Sequence, residues 1–140
     1  MDIRKITEEL SVAPQIAAAE VPAIAAAGFR AVICNRPDGE STDQPCCGDI
    51  EAAVKAHGLA WRSQPVQSGG VTFADAQEFG ALLAELPKPV LAYCRSGTRC
   101  AVLWSLSEAG KRPLPDIVAR TAAAGYDVAP TMQRLLGPQI

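Results

Sequence analysis

Val90-Leu-Ala-Tyr-Cys94-Arg95-Ser96-Gly97-Thr98-Arg99-Cys100-Ala-Val-Leu-Trp104 is the stretch on which the reading of this chain turns. Pro87 and Pro89 break the chain just before it, and Val90–Tyr93 then reads as a buried strand. From about Arg99 a helix carries Ala101, Val102, Leu103, Trp104 and Leu106 and stops at Gly110. The residues between strand and helix are small or hydrogen-bonding, and Gly97 is free to take φ > 0. Successive N–H groups in such a turn can converge on one point and form a nest for an anion. The N-terminus of the following helix adds partial positive charge. Arg99 offers a planar fork suited to an oxyanion, and Arg95 adds positive potential.

The same field favours a thiolate at Cys94. A free cysteine near pKa 8.5 falls to roughly 3.5–7.5 at a helix N-terminus or beside arginine. The hydroxyls of Ser96 and Thr98 are candidates to donate to the sulfur. One loop from Cys94 to Arg99 can thus activate a nucleophile and bind the oxyanion that it attacks or releases.

Outward from this loop, strands and helices alternate. A strand or strand pair is expected at 6–12 and a helix at 20–27, with Pro22 in its first turn and Gly28 as its stop. A buried strand follows at 31–35, then a polar loop at 36–45, a helix at 47–57 and a strand at 59–65. Thr72 is expected to cap a helix that runs to about Leu86, with Asp75 as its capping-box partner. Two helices close the chain, at 115–124 and 130–136. Repeated strand–helix units imply an α/β fold with a mainly parallel sheet flanked by helices. Ligands of such sheets bind at the carboxyl ends of the strands, where Cys94 falls.

The 140 residues fit a single domain, 1–140, and no repeat, low-complexity tract or linker divides them. A net charge of -2 gives no electrostatic case for nucleic acid or an acidic membrane. No apolar run approaches the ~20 residues of a membrane span, and the first residues carry no signal-peptide pattern. A cytoplasmic location is expected. Cysteines at 34, 46, 47, 94 and 100 are odd in number, which excludes a full disulfide framework. Without C-x-x-C spacing, and with His57 isolated, neither a metal nor another cofactor is expected.

The CRSGTR loop is similar to that of rhodanese-type sulfurtransferases, in which a cysteine carries a persulfide. Ala-Gly-Phe-Arg-Ala-Val-Ile-Cys-Asn-Arg-Pro-Asp-Gly-Glu (27–40), Gln64-Pro65-Val66 and the Cys94 loop together resemble the bacterial beta-lactamase hydrolase-like, phosphatase-like family (DUF442). That resemblance covers roughly residues 6–110, leaving the helices of 113–136 beyond it. It implies a fold related to dual-specificity phosphatases.

Two departures from phosphatases stand out. Four residues, not five, separate Cys94 from Arg99, and position 100 is a cysteine. The loop of residues 67–72, where a phosphatase keeps its general-acid aspartate, holds no carboxylate. Both favour sulfur transfer, because a thiolate leaves without protonation.

The expected function is a sulfurtransferase that carries a persulfide on Cys94, taking sulfur from a small-molecule donor and passing it to a small acceptor. The alternative is a phosphatase-like hydrolase acting through a phosphocysteine on phosphate- or sulfate-like anions. A third reading is a non-catalytic anion or redox sensor. Arg36, Asp38 and Glu40 lie on the polar loop after the 31–35 strand. They are candidates for binding substrate, with Asp38 a substitute acid, or else form a solvated Pro-Asp-Gly turn. Cys100 is either a resolving thiol or an inward-packed helix residue. Cys34 is assigned to the core, Cys46 and Cys47 to a helix start, and Trp61 and Trp104 to packing.

Overall fold

The computed structural model describes residues 1–136. Five strands form one sheet in the order β1-β2-β5-β3-β4: β1 (Arg4–Lys5), β2 (Leu10–Ala13), β3 (Ala31–Cys34), β4 (Ala60–Ser63) and β5 (Val90–Tyr93). Strands β2 to β5 run parallel, and only the short β1 pairs antiparallel to its neighbour. β5 lies between β2 and β3, with Val90 opposite Leu10 on one side and Ala31 on the other. β5 is fully buried because both sheet faces are covered, as expected of parallel strands.

Alternation along β5 divides the core in two. Val90 and Ala92 face one side with Leu10, Val12 and Ile33, against helices α3 (Phe73–Glu85), α4 (Thr98–Glu108), α5 (Leu114–Ala123) and α6 (Ala129–Leu136). Leu91 and Tyr93 face the other side with Val32 and Trp61, against α1 (Val21–Ala26) and α2 (Cys47–Ala56). Helix α4 is the innermost: Arg99 through Leu106 are all buried in it, since sheet, α3, α5 and α6 surround it.

The expected elements are present, with shorter strands. Of the strand or strand pair expected at 6–12, only residues 10–12 are strand, within β2, and β1 precedes the run; Thr7 Oγ1 accepts the N–H groups of Glu9 and Leu10 and holds residues 6–9 in a bend between the two strands. The strand expected at 59–65 spans only Ala60–Ser63, and Pro65 has no N–H with which to continue a ladder. β3 ends at Cys34 instead of Asn35, whose side chain donates to the Gln64 carbonyl. Trp61 and Trp104 are buried packing residues, as expected.

Thr72 caps α3 as anticipated. Its Oγ1 accepts the Asp75 N–H at 3.1 Å, and Asp75 accepts the Thr72 N–H at 3.0 Å. Thr72→Ala should therefore cost about 1 kcal/mol of stability. Urea unfolding should show a lower midpoint, with Cys94 reactivity unchanged.

Candidate functional site

Four parallel strands end on one edge, and the residues that follow them meet there. β5 delivers Cys94, β3 delivers Arg36 and Glu40, β4 delivers Gln64 and Val66, and β2 delivers Gln15. The Gln15 N–H donates to the Arg95 carbonyl, and the Cys94 N–H donates to the Ala13 carbonyl. Cys94 is wholly buried inside the turn it opens. Gly97 takes φ +92°, the positive value expected of it, and its N–H donates to Cys94 Sγ at 3.1 Å.

Cys94 is pulled down to about 5. The largest cause is the Cys100 thiol, which donates to the Cys94 sulfur; the N–H groups of Cys100 and Gly97 and the charge of Arg99 add to it, and burial opposes them. Cys100 itself is pushed up by complete burial and by the neighbouring Cys94, so it stays a thiol and a donor. Both cysteines are free and buried, side by side at the start of α4.

Ser96 and Thr98 do not reach the sulfur. Ser96 Oγ donates to Thr98 Oγ1 at 2.9 Å and accepts the Thr98 N–H, so the two hydroxyls satisfy each other at the exposed rim. Arg95 is exposed beside them.

Arg99 is buried and tightly held. Its Nη1 donates to Glu40 Oε2 at 2.7 Å and to the Val66 carbonyl at 2.9 Å, and its Nη2 donates to Glu40 Oε1 at 2.9 Å. Three of the five guanidinium N–H groups are thus engaged. Nε–H and the second Nη2–H form the remaining fork for an oxyanion. Glu40 also accepts from Arg36 Nε at 2.9 Å, while Arg36 reaches Gln15 Oε1 and Ser41 Oγ with its other nitrogens. Arg99, then Arg36, hold the Glu40 carboxyl down to about 2 against the effect of burial.

Arg36 therefore acts through Glu40, with its guanidinium committed to the protein. Asp38 is likewise committed: its Oδ1 accepts the Cys47 N–H at 2.8 Å and caps α2. Asp75 remains in its capping box. No carboxylate lies on the segment of residues 67–71, which borders the Cys94 loop.

A pocket of about 170 Å³ adjoins the loop. Arg95 and Arg134 line it on the polar side, and Val71, Val102 and Leu135 on the apolar side. Neither arginine forms an ion pair among the described residues. Sequence reading missed Arg134, and it missed Tyr126, whose hydroxyl donates to the Ser96 carbonyl. The other cysteines lie apart from this chemistry. Cys34 is buried with its thiol on the Arg36 carbonyl, Cys46 is exposed, and burial pushes Cys47 up to about 12, leaving it a poor nucleophile.

The family described as beta-lactamase hydrolase-like protein, phosphatase-like domain, matches residues 2–111. The chain belongs to this family. A beta-lactamase hydrolase-like protein of Agrobacterium fabrum (strain C58) is 36% identical over 126 residues, which are 89% of this chain. The match covers 29% of that relative, so this chain spans under a third of the length of the curated relatives it matches.

Among solved structures, a candidate phosphatase from Neisseria meningitidis Z2491 superposes with a TM-score of 0.88 at 36% identity, covering 96% of each chain. The core catalytic domain of a PP-IP phosphatase from S. cerevisiae, in complex with citrate, has a TM-score of 0.66 at 10% identity. It covers 100% of this chain and 78% of its own, and at that identity it shows the shared fold alone. The phosphatase-like fold implied by the sequence resemblance is thereby established. The rhodanese-type reading of CRSGTR has no counterpart among these relatives. No helix among the described residues is long and apolar enough to cross a membrane.

Two outcomes follow from the charges. Glu40 has a lowered folded pKa, so its contribution to stability is complete above about 4.5 and is lost as pH falls toward about 2. Urea unfolding from about pH 6 down to about pH 3 should show wild type losing stability more steeply than Glu40→Gln. Hydrogen bonds to charged groups are worth roughly 1.5–3 kcal/mol each, so the variant should be less stable at neutral pH. Separately, Cys100→Ala removes the main donor to Cys94. The pH midpoint of Cys94 alkylation should rise from about 5 toward the ordinary thiol range.

Proposed function

We propose that this domain is a phosphomonoester hydrolase that works through a phosphocysteine on Cys94, with aryl esters as its better substrates. The observation that carries the reading is a buried sulfur held down to about 5 inside a turn with Arg99 at its far end, in a phosphatase-like domain.

The Cys94 thiolate attacks phosphorus: an S–P bond forms, the ester P–O bond breaks, and the alcohol oxygen leaves with the bonding pair. Loop N–H groups and the free fork of Arg99 hold the phosphoryl oxygens. Water then attacks phosphorus, the S–P bond breaks, and phosphate departs as the thiolate is restored. With no carboxylate on residues 67–71, the leaving oxygen must depart unassisted or take its proton from water. General-acid help is worth 10²–10⁴-fold, which is why stable phenolates suit this site better than alkoxides. The pocket of Arg95 and Arg134, with Val71, Val102 and Leu135, suits an apolar body that carries a second anionic group.

One observation favours persulfide transfer as a second reading. The missing carboxylate, with Cys100 in place of an arginine, costs sulfur chemistry nothing. In that cycle Cys94 attacks the outer sulfur of thiosulfate, an S–S bond forms as the donor's S–S bond breaks, and sulfite leaves. Cyanide then takes the sulfur as thiocyanate and returns the thiolate.

Intact mass spectrometry separates the readings. Wild type should release phosphate from an aryl phosphate and show a phosphoryl adduct in rapid quench, with both lost in Cys94→Ser. Alkyl phosphates should turn over at least about 100-fold more slowly. No phosphate release, but a cyanide-dischargeable gain of one sulfur atom from thiosulfate, would replace the hydrolase with the sulfur carrier. Neither adduct, with sulfate still slowing Cys94 alkylation, would leave an anion sensor.

A further inference from the structure

The two ends of a trans peptide unit point in opposite directions, so fixing its carbonyl also fixes the aim of its N–H. The unit that joins Ser96 to Gly97 is held at both ends. Its N–H donates to Cys94 Sγ at 3.1 Å, and its carbonyl accepts from Tyr126 Oη at 3.0 Å. Without that second bond, only the N–H to Cys94 Sγ opposes a turn of the unit. Gly97 imposes no side-chain barrier to either sign of φ, and a flip would bring the Ser96 carbonyl oxygen toward the sulfur.

Tyr126 is itself firmly placed. It is buried, its N–H donates to the Thr121 carbonyl at 2.8 Å, and the Arg4 guanidinium lies 5.2 Å from its ring centroid. Arg4 Nη1 in turn donates to the Ala124 carbonyl at 3.1 Å. The fit against the loop leaves no slack: a Cβ placed on Gly97 would stand 2.1 Å from the Tyr126 oxygen. Burial pushes the Tyr126 hydroxyl above the ordinary phenol value, so it stays a donor at neutral pH, where Cys94 is a thiolate.

We propose that Tyr126 is a positioning residue for the nucleophile: its hydroxyl holds the Ser96 carbonyl and keeps the Gly97 N–H aimed at Cys94 Sγ. The hydroxyl also polarises the peptide unit, strengthening the N–H at its other end. Tyr126 lies outside residues 2–111 that match the family, so this device comes from the C-terminal part of the chain. The proposal rests on Cys94 as the reactive thiol and is independent of the group that Cys94 transfers.

The test is the pH dependence of iodoacetamide alkylation at Cys94 in wild type and Tyr126→Phe, which keeps the ring and loses the hydroxyl. Trypsin leaves Cys94 as the sole cysteine of the peptide that ends at Arg95, so peptide mass spectrometry reads it apart from the other four. In the variant the rate at about pH 5 should fall roughly five-fold, the effect of a midpoint raised by about one unit, while the rate at about pH 9 stays within about twofold. An unchanged midpoint would overturn the proposal. So would a rate raised equally at every pH, which is the signature of lost packing. Because no substrate is used, a moved midpoint without phosphate release would uphold Tyr126 and overturn the hydrolase reading instead.

Discussion

The ion pair of Arg99 with Glu40 is the joint on which the site is assembled. Arg99 belongs to the first turn of α4, Glu40 to the long connection after β3, and the same guanidinium bonds the Val66 carbonyl after β4. Three strand ends are thereby fixed to one planar cation. Arg36 and Gln15 extend the joint to the end of β2. A buried pair of this kind is weak evidence of net stability, because two charges must first be taken out of water. Its value here is geometric: it fixes which edge of the guanidinium is left over and which edge is spent on the fold.

The thiolate depends on that joint only in part. The nearest donors to the sulfur are neutral: the Cys100 thiol and two backbone N–H groups. The charge of Arg99 adds less than the hydrogen bonds from Cys100 and Gly97. Those donors are buried with the sulfur, so salt screens their effect on it little. Thiol and thiolate sit together in one turn because only one of them is charged. Complete burial of Cys100 raises its pKa and so settles which of the two keeps the proton.

Much of this was legible in the chain. The run Val90–Tyr93 followed by Cys94, Gly97 and a buried helix announces a buried parallel strand feeding a tight turn, because every cue is local: apolar strand, positive-φ glycine, helix start. The caps at Thr72 and Gly28 were equally local. What escaped is long-range or rotational. Nothing near Glu40 marks it as the partner of Arg99, 59 residues away, and nothing near Tyr126 points to Ser96. From sequence Asp38 reads either as a substitute acid or as part of a solvated turn, because its acceptor role depends on where the α2 N-terminus arrives. Ser96 and Thr98 are only candidates for the sulfur in the sequence, because composition cannot say which way a hydroxyl turns. Two hydroxyls separated by one residue satisfy each other first.

Complete enclosure of the Cys94 sulfur has a kinetic meaning. Any partner must enter the turn by presenting a compact group, and the walls admit it only as far as peptide N–H donors can replace its water. On the proposed reading the turn sorts partners by size: a compact anion exchanges one set of hydrogen bonds for another, and a bulky group does not fit against the sulfur. On that reading, burial limits what reaches this sulfur before any chemistry begins.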